Sequence, residues 1–218
     1  MTTQTLLIEL LTEELPPKAL NNLGNHFAAS VAEGLEKAQL IDSDQIDAIE
    51  LLELTVEKYT AYASPRRLAV QVKNVKAVQA DQKIVKKGPA VANAMKDGAP
   101  TKALEGFARG AGAKIEDLTI INDGKQDVYA YEYVQTGKPL GELLEDIINQ
   151  AVKKLPIPKV MRWGSSTFTF CLLYTSDAAL HGGDIVNVSV LGLQSGNKTL
   201  GHRFLSSGEI AIENADSY

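Results

Sequence analysis

The chain opens with an apolar stretch and then changes to helical spacing. Residues from Thr5 to Leu11 are apolar apart from Glu9, which predicts a buried strand. Pro16 and Pro17 follow, and proline is tolerated in the first turn of a helix because its missing N–H has no partner there. Apolar residues then recur at helical spacing: Leu20, Leu23, Phe27, Val31 and Leu35. We therefore expect a helix of about five turns with one apolar stripe, packed on the first strand.

The next stretch contains one helical and two alternating patterns. Residues 42–52 place Ile46, Ile49 and Leu52 at helical spacing behind Ser43, a candidate N-cap. Residues 54–63 and 68–75 alternate apolar and polar positions around a Ser-Pro-Arg turn at 64–66. Alternation on both sides of a turn predicts a hairpin, with Arg66 and Arg67 at its tip.

Residues 83–118 are rich in glycine and alanine, so their sequence predicts secondary structure less clearly. Leu104 and Phe107 predict a short helix that ends near Gly110 and Gly112. Residues 128–134 then alternate, with Tyr129, Tyr131 and Tyr133 on one face of the predicted strand. This spacing of two is that of a strand, in which successive side chains point to opposite faces.

Pro139 begins a second amphipathic helix, which we expect to run to Leu155 before Pro156 and Pro158. Residues 184–193 predict one further strand. Strands and helices mix without a regular βαβ alternation, so we predict an α+β fold with two long amphipathic helices packed on a sheet. We expect two subdomains, residues 1–80 with 120–160, and residues 160–218.

Composition places the chain among ordinary globular proteins, with 44% hydrophobic and 22% charged residues. The formal net charge is −5. This argues against a free-standing RNA-binding module, which is usually basic, and restricts any RNA contact to local clusters. The single cysteine, Cys171, excludes an intramolecular disulfide and fits a reducing cytoplasm. The first residues lack the basic region typical of a signal peptide, and no apolar stretch of the sequence approaches the roughly 20 residues of a membrane span.

Motifs for catalysis are missing from the sequence. It contains no glycine-rich phosphate loop, and His26, His181 and His202 are isolated from one another. The Glu13–Glu14 pair could act as an acid–base dyad, but we interpret it as acidic residues favoured at a helix N-terminus. We therefore predict no catalytic, cofactor-binding or metal-binding residue in this chain.

Three basic clusters remain as candidate phosphate contacts. They are Arg66 with Arg67; Lys83, Lys86 and Lys87; and Lys153, Lys154, Lys159 and Arg162 next to Trp163. Cations beside an aromatic ring can bind phosphates and stack a base. The alternative is a solvated surface with a packed tryptophan, and spacing alone favours that alternative.

Eight short segments together resemble the β subunit of the bacterial two-subunit glycyl-tRNA synthetase. In order, they are ELLTEELPPKA (9–19), SPRRLAV (64–70), KGP (87–89), EGFAR (105–109), LPIPKVMRWG (155–164), LGLQS (191–195), GHRF (201–204) and NAD (214–216). Their order and spacing cover nearly the whole chain, and the first and fifth segments are the most specific.

The resemblance implies an enzyme that joins glycine to tRNA(Gly) using ATP. In this family the α subunit holds the active site, with ATP and Mg, and the β subunit binds tRNA in a cytoplasmic α2β2 assembly. The family's β chain is about three times longer and continues into an HD-type domain and an anticodon-binding domain, so this sequence is expected to be an N-terminal fragment. No cofactor is expected within it.

We expect this region to contribute tRNA binding or assembly. The candidate tRNA-contacting residues are Arg66, Arg67, Lys86, Lys87, Lys159, Arg162 and Arg203. The alternative is a pure scaffold that holds the α subunit or the rest of β without touching RNA, and the acidic net charge favours that alternative.

One segment, Cys171 to Ala179 (CLLYTSDAA), departs from the family, which has Val-Arg-Pro-Val at 171–174. The segment matches the translation of a transposase-derived sequencing adapter, and the family pattern resumes in register near Leu180. We predict that it is foreign to the gene. Asp177, Ala178 and Ala179 are poor strand formers, but the flanking register predicts that the backbone still forms a strand, with poorer packing.

Overall fold

The structure is a computed structural model that describes residues 2–42, 59–96, 99–157, 161–162, 169–170 and 174–218, with backbone only at 161–162, 169–170 and 174–175. The helix predicted over 42–52 lies almost entirely outside these residues. The described chain divides into two compact units, residues 1–79 with 138–218, and residues 80–137.

Helices and strands are interspersed along the described chain. The α-helices are α1 Leu20–Lys37, α2 Val91–Ala94, α3 Lys102–Ala111 and α4 Leu140–Lys153, and short 3-10 helices span Pro17–Ala19, Ile115–Asp117 and Ala215–Ser217. The strands are β1 Thr3–Thr12, β2 Tyr59–Ser64, β3 Arg67–Lys76, β4 Gln82–Ala90, β5 Met95–Lys96, β6 Ala99–Pro100, β7 Thr119–Asn122, β8 Asp127–Gln135, β9 Met161–Arg162, β10 Thr169–Phe170, β11 Tyr174–His181, β12 Asp184–Ile185, β13 Ser189–Val190, β14 Leu193–Gln194, β15 Lys198–Leu200 and β16 Glu209–Ala211.

The larger unit is built on a five-stranded antiparallel sheet in the order β12-β11-β1-β3-β2. The predicted first strand is β1, and it lies at the centre. Its neighbours come from distant parts of the chain, since Leu10 is paired with Leu68 on one side and Asp177 on the other. The predicted hairpin is formed by β2 and β3, with Arg66 in the turn.

Both predicted long helices belong to the main core of this unit. Leu23, Phe27, Val31 and Leu35 of α1 are buried, as the spacing predicted. Helix α1 contacts α4, β2 and β3, and the core joins both helices to the apolar face of the sheet. The predicted α+β fold with two helices on a sheet is therefore confirmed.

The opposite face of the same sheet is also covered. Leu7 of β1 and Ala178 and Leu180 of β11 form a smaller buried cluster with Ile212 and Ala215. Because β1 is buried on both faces, its sequence is almost continuously apolar rather than alternating.

The smaller unit is a three-stranded antiparallel sheet, β4-β8-β7, with helix α3. The predicted tyrosine-rich strand is β8, and the predicted short helix is α3. Gly112 ends α3 in the left-handed conformation with φ 73°, which glycine adopts without steric cost. At Gly88, a Cβ atom would lie 2.6 Å from the ring of Phe107, so α3 packs against β4 at a position where only glycine fits.

The division into units differs from the predicted subdomains at both boundaries. Residues 119–135 belong with 82–90 because β8 pairs with β4. Residues 174–218 belong with the N-terminal strand because β11 pairs with β1. Both pairings join segments that are distant in the sequence, and local hydrophobic patterns do not predict such pairings.

Strand β11 includes the unusual segment Asp177–Ala179. Asp177 is 5% exposed, and it is paired with the fully buried Leu10 on the face of the main core. Pairing with β1 therefore overrides the poor strand propensity of these residues, as the flanking register predicted. Residues 171–173 lie outside the described structure.

The strand predicted over 184–193 is interrupted. It consists of β12 and of the short hairpin β13–β14, whose turn residues Leu191 and Gly192 have φ values of 49° and 83°. Positive φ at both turn positions is usual for two-residue hairpins, but leucine is rare there.

Candidate nucleic-acid interface

Arg66 lies in the turn between β2 and β3 and pairs with a surface carboxylate. Its Nη2 is 3.3 Å from Oε1 of Glu13, with the side chains 33% and 40% exposed. The backbone carbonyls of Pro65 and Arg66 accept hydrogen bonds from the N–H groups of Leu15 and Thr12, which fix the turn against β1. Pairs at this exposure contribute little to stability, so Arg66 is held only weakly. Glu13, which we predicted to be a helix-start residue, is the partner in this pair.

Arg67 occupies a different environment although it is the next residue. Its Nη1 is 3.3 Å from Oε2 of Glu9, a carboxylate with 0% exposure in the middle of β1. The Tyr218 hydroxyl donates a hydrogen bond to the same oxygen, and Arg67 Nη2 donates to the Leu200 carbonyl. A buried carboxylate must be compensated, and Arg67 supplies the opposite charge. Arg67 therefore anchors the fold.

The charges of this cluster change the pKa of Tyr218. Burial raises the pKa of the Tyr218 hydroxyl well above its ordinary value, and the negative charge of Glu9 adds to the rise, because both disfavour a phenolate there. The positive charge of Arg67 opposes the shift only in part. The sequence signal for this cluster was Glu9, the only charge inside an apolar strand, whereas nothing in the sequence pointed to Tyr218.

A cavity of about 480 Å³ lies beside the cluster, between α1 and β2. Its polar lining includes Asn21, Asn25 and Ser64, and Arg67 and Tyr218 form part of its wall. The Glu9 carboxylate is not among the lining residues, so the cavity offers amide and hydroxyl groups together with a cation that is already paired.

The cluster of Lys83, Lys86 and Lys87 is divided by strand geometry. In the pairing of β4 with β8, Lys86 is opposite Tyr131, whereas Lys83 and Lys87 are opposite Val134 and Ala130. Alternation therefore places Lys86 on one face of the sheet and the other two lysines on the reverse face. All three are exposed, and no carboxylate of the described chain lies within 4.0 Å of their amines.

The face that carries Lys86 is aromatic. The rings of Tyr131 and Tyr133 stack at a centroid distance of 5.6 Å and an interplanar angle of 18°. Lys86 Nζ lies 5.1 Å from the centroid of the Tyr133 ring, within the range of a cation–π contact. Tyr129 continues the row, opposite Ile120 of β7.

The two faces of this sheet differ in burial. On the reverse face, Val128 and Ala130 are 3% and 0% exposed, whereas Val85 and Val134, further along the strands, are 44% and 59% exposed. On the tyrosine face, Tyr129, Tyr131 and Tyr133 all keep partial exposure, and Ile120 is 56% exposed. We call this set, with Ile84 and Lys86, the tyrosine face.

Lys87 lies near the turn that joins β7 to β8. The backbone N–H groups of Lys125 and Gln126 donate to the Asp123 carboxylate and lower its pKa, and the charge of Lys87 lowers it further. This turn therefore fixes one carboxylate by backbone hydrogen bonds rather than by an ion pair.

The third basic cluster is described only in part. Lys154, at the end of α4, lies 3.2 Å from Glu33 of α1, and the hydrogen bonds from Lys37 and Lys154 lower the pKa of Glu33. Lys159 and Trp163 lie outside the described residues, and only the backbone of Arg162 is described, in β9.

Arg203 lies in the loop between β15 and β16. Its guanidinium carbon is 5.8 Å from the centroid of the Phe204 ring. Phe204 and Leu205 are 83% and 85% exposed, the two most exposed large apolar side chains of the described chain. Of this basic and apolar tip, only Arg203 was predicted from the sequence to be a site residue.

The histidines do not form a site. The ring of His181 is buried, with Nε2 2.9 Å from the Val75 carbonyl oxygen. Among the described residues, no group of three or more His, Cys, Asp or Glu is placed to hold a metal ion, and no helix is long and apolar enough to cross a membrane.

Comparison with known proteins gives a match over almost the full chain. The family model described as glycyl-tRNA synthetase beta subunit matches residues 6–218. The chain belongs to this family. The predicted resemblance is therefore confirmed.

Relatives within the glycyl-tRNA synthetase beta subunit family are close. The protein named glycine–tRNA ligase beta subunit from Neisseria meningitidis serogroup B is 84% identical over all 218 residues, and its counterpart from Neisseria gonorrhoeae is 83% identical. The one from Alteromonas mediterranea is 42% identical over 219 aligned residues. In each case the chain spans 30% of the relative's length.

Proposed function

We propose that this chain is the N-terminal part of the β subunit of a glycine–tRNA ligase. With an α subunit, the complete β subunit would attach glycine to tRNA(Gly) using ATP, in a cytoplasmic α2β2 assembly. The family membership and the names of the relatives support this proposal. ATP and Mg are assigned to the α subunit, and this part is non-catalytic.

Within that enzyme, we infer that residues 80–137 contact the tRNA. The supporting observation is the distribution of charge between the two units. Residues 80–137 contain eight basic and eight acidic residues, whereas the larger unit contains fourteen basic and nineteen acidic residues. The whole net charge of −5 therefore belongs to the larger unit, and repulsion of phosphate is weaker at residues 80–137.

The lysines of the smaller unit are also available for phosphates. Lys83, Lys86 and Lys87 have no carboxylate within salt-bridge distance in the described structure, whereas Arg66 and Arg67 are paired with Glu13 and Glu9. A phosphate would have to compete with those carboxylates for either arginine. Lys86 and Lys87 are therefore the stronger RNA-contact candidates.

The second candidate function is a scaffold that holds the α subunit or the rest of β. The exposed Phe204–Leu205 tip supports it, because aromatic side chains and arginine are enriched at the centres of protein interfaces. The two functions are compatible, since the tip and the lysines belong to different units.

A salt titration of tRNA(Gly) binding tests the proposal. Full-length β assembled with α would carry Lys86→Ala with Lys87→Ala, and Lys198→Ala would serve as a matched control because Lys198 is paired with Glu209 at 2.6 Å. Each lost phosphate contact should reduce the slope of log K against log salt by roughly 0.7 to 0.9. An unchanged slope in the double variant, with the assembly intact, would leave only the scaffold function.

A further inference from the structure

The tyrosine face has the composition of a surface that stacks bases. Tyr129, Tyr131 and Tyr133 alternate along β8, so their Cα atoms follow one another at about 7 Å and their side chains lie on one side of the sheet. Ile84 and Ile120 flank them on the neighbouring strands. Flat, partly exposed rings on a rigid strand lose little freedom when another flat group packs on them.

Lys86 places a cation in the middle of the tyrosine row, whereas the carboxylate on the same face, that of Asp127, lies at the end of the row. The amine of Lys86 lies over the Tyr133 ring rather than against a carboxylate. The carboxylate of Asp127, at the far end of β8, accepts a hydrogen bond from Asn122 Nδ2 at 2.8 Å. A cation beside exposed rings matches a nucleotide, which offers a phosphate and a base at neighbouring positions.

A protein partner fits this face less well. The buried centre of a protein interface is depleted of lysine, and on this face Lys86 lies in the middle of the row, opposite Tyr131. Double-stranded RNA also fits less well, because its bases are already stacked within the helix and do not present their faces.

We propose that the tyrosine face binds unpaired nucleotides of RNA by stacking, with Lys86 contacting the phosphate. This inference rests on the proposed contact between residues 80–137 and tRNA, and it names the part of the RNA that is recognised: an unpaired loop or end rather than a duplex.

The test uses full-length β assembled with α, and three variants of the smaller unit. Tyr131→Ala removes a ring, Tyr131→Phe keeps it, and Val134→Ala alters a 59%-exposed side chain on the reverse face as the matched control. The probes are tRNA(Gly), a single-stranded RNA heptamer and an RNA duplex of the same composition. Ultraviolet cross-linking followed by peptide mapping locates the contact.

Tyr131→Ala should weaken binding of tRNA and of the heptamer by about fivefold or more, with the salt slope unchanged, because stacking releases no counterions. Tyr131→Phe and Val134→Ala should bind like the parent, the duplex should be insensitive, and cross-links should map to residues 127–135. Lys86→Ala should reduce the salt slope by roughly 0.7 to 0.9.

The stacking proposal and the proposed function fail in different ways. If Lys86→Ala with Lys87→Ala weakens tRNA binding but Tyr131→Ala does not, stacking is overturned and tRNA contact stands. If neither variant changes tRNA binding, both are overturned. If Tyr131→Ala instead weakens the association of β with α and leaves RNA binding intact, the face is a protein interface and the proposal is wrong.

Discussion

The central strand of residues 1–79 with 138–218 is buried on both faces, whereas the sheet of residues 80–137 buries Val128 and Ala130 on one face and keeps a row of partly exposed tyrosines on the other. In the first sheet, a charge must find its partner inside the fold, as Glu9 does with Arg67 and Tyr218. In the second, Lys86 rests on an aromatic ring without a carboxylate. Basic residues that look alike in the sequence thus have opposite roles: one completes a core and the other remains available to a ligand.

The strongest effect expected is on catalysis, because we predict no nucleotide-binding residue in this chain. The purified chain, free of the α subunit, should show no glycine-dependent exchange of pyrophosphate into ATP, whereas the complete assembly should. Exchange by the chain alone, persisting through repurification, would mean that one of the two units holds an active site.

The contrast between buried and surface cations is sharpest at Arg66 and Arg67. Arg67→Ala leaves a fully buried carboxylate without its opposite charge, so we expect a loss of about 3 kcal/mol in the free energy of unfolding. Arg66→Ala removes a surface pair and should cost less than about 1 kcal/mol. Urea unfolding of the 218-residue chain measures both. Equal losses would contradict the distinction between an anchored and a loosely held arginine.

A substitution at Asp177 tests how strictly the main core of the larger unit excludes polar groups. Asp177 is paired with Leu10 on the core face of β11 and is 5% exposed. Asp177→Leu should raise the free energy of unfolding by about 1–3 kcal/mol, since Leu10 and Ala179 on this face belong to the apolar core and burial of a leucine side chain there is favourable. Asp184→Leu, on the exposed strand β12, is the control and should have little effect.

Asp177 belongs to the segment from Cys171 to Ala179, and our prediction that this segment is foreign to the gene is still untested. Resequencing the source DNA checks it directly. Arg and Pro restored at positions 172 and 173 should also raise stability. If the DNA encodes CLLYTSDAA and the restored chain is no more stable, the segment is native.

The smallest effect expected concerns pH. The pKa of Tyr218 is raised by burial and by Glu9, so the folded chain keeps a proton that the unfolded chain releases above its ordinary pKa of 10.0. The stabilisation from this hydroxyl is therefore complete below about pH 10 and declines as pH rises above it. The stability advantage of the parent over Tyr218→Phe should stay constant up to about pH 10 and shrink as pH rises from about 10 to 12. An advantage that stays constant over this whole range would show that the hydroxyl is not linked to folding.

Local patterns predicted most of the elements but not their assembly. The alternation of Tyr129, Tyr131 and Tyr133 and the spacing of apolar residues in α1 and α4 follow from which side of each element faces the core. Such periodic patterns can be read directly from the sequence. The pairing of β11 with β1 and of β8 with β4 is non-local, so the unit boundaries were predicted differently. The turn at Leu191–Gly192 escaped prediction because leucine seldom adopts positive φ.

For the candidate site too, the sequence predicted the residues but not their arrangement in space. The sequence located the basic clusters and the odd charge at Glu9. It could not separate Arg66 from Arg67, because the difference depends on a carboxylate 58 positions away in the chain. Nor could it show that Lys86 and Lys87 face opposite ways, which follows only from the register with Tyr131 and Ala130.

Hydrogen exchange of the complete assembly, with and without tRNA(Gly), distinguishes contact of tRNA with residues 80–137 from contact with the larger unit. We predict slower amide exchange in β4 and β8, residues 82–90 and 127–135, on tRNA binding, with exchange in β2 and β3, residues 59–76, unchanged. Protection confined to residues 59–76, or absent from residues 80–137, would contradict this prediction.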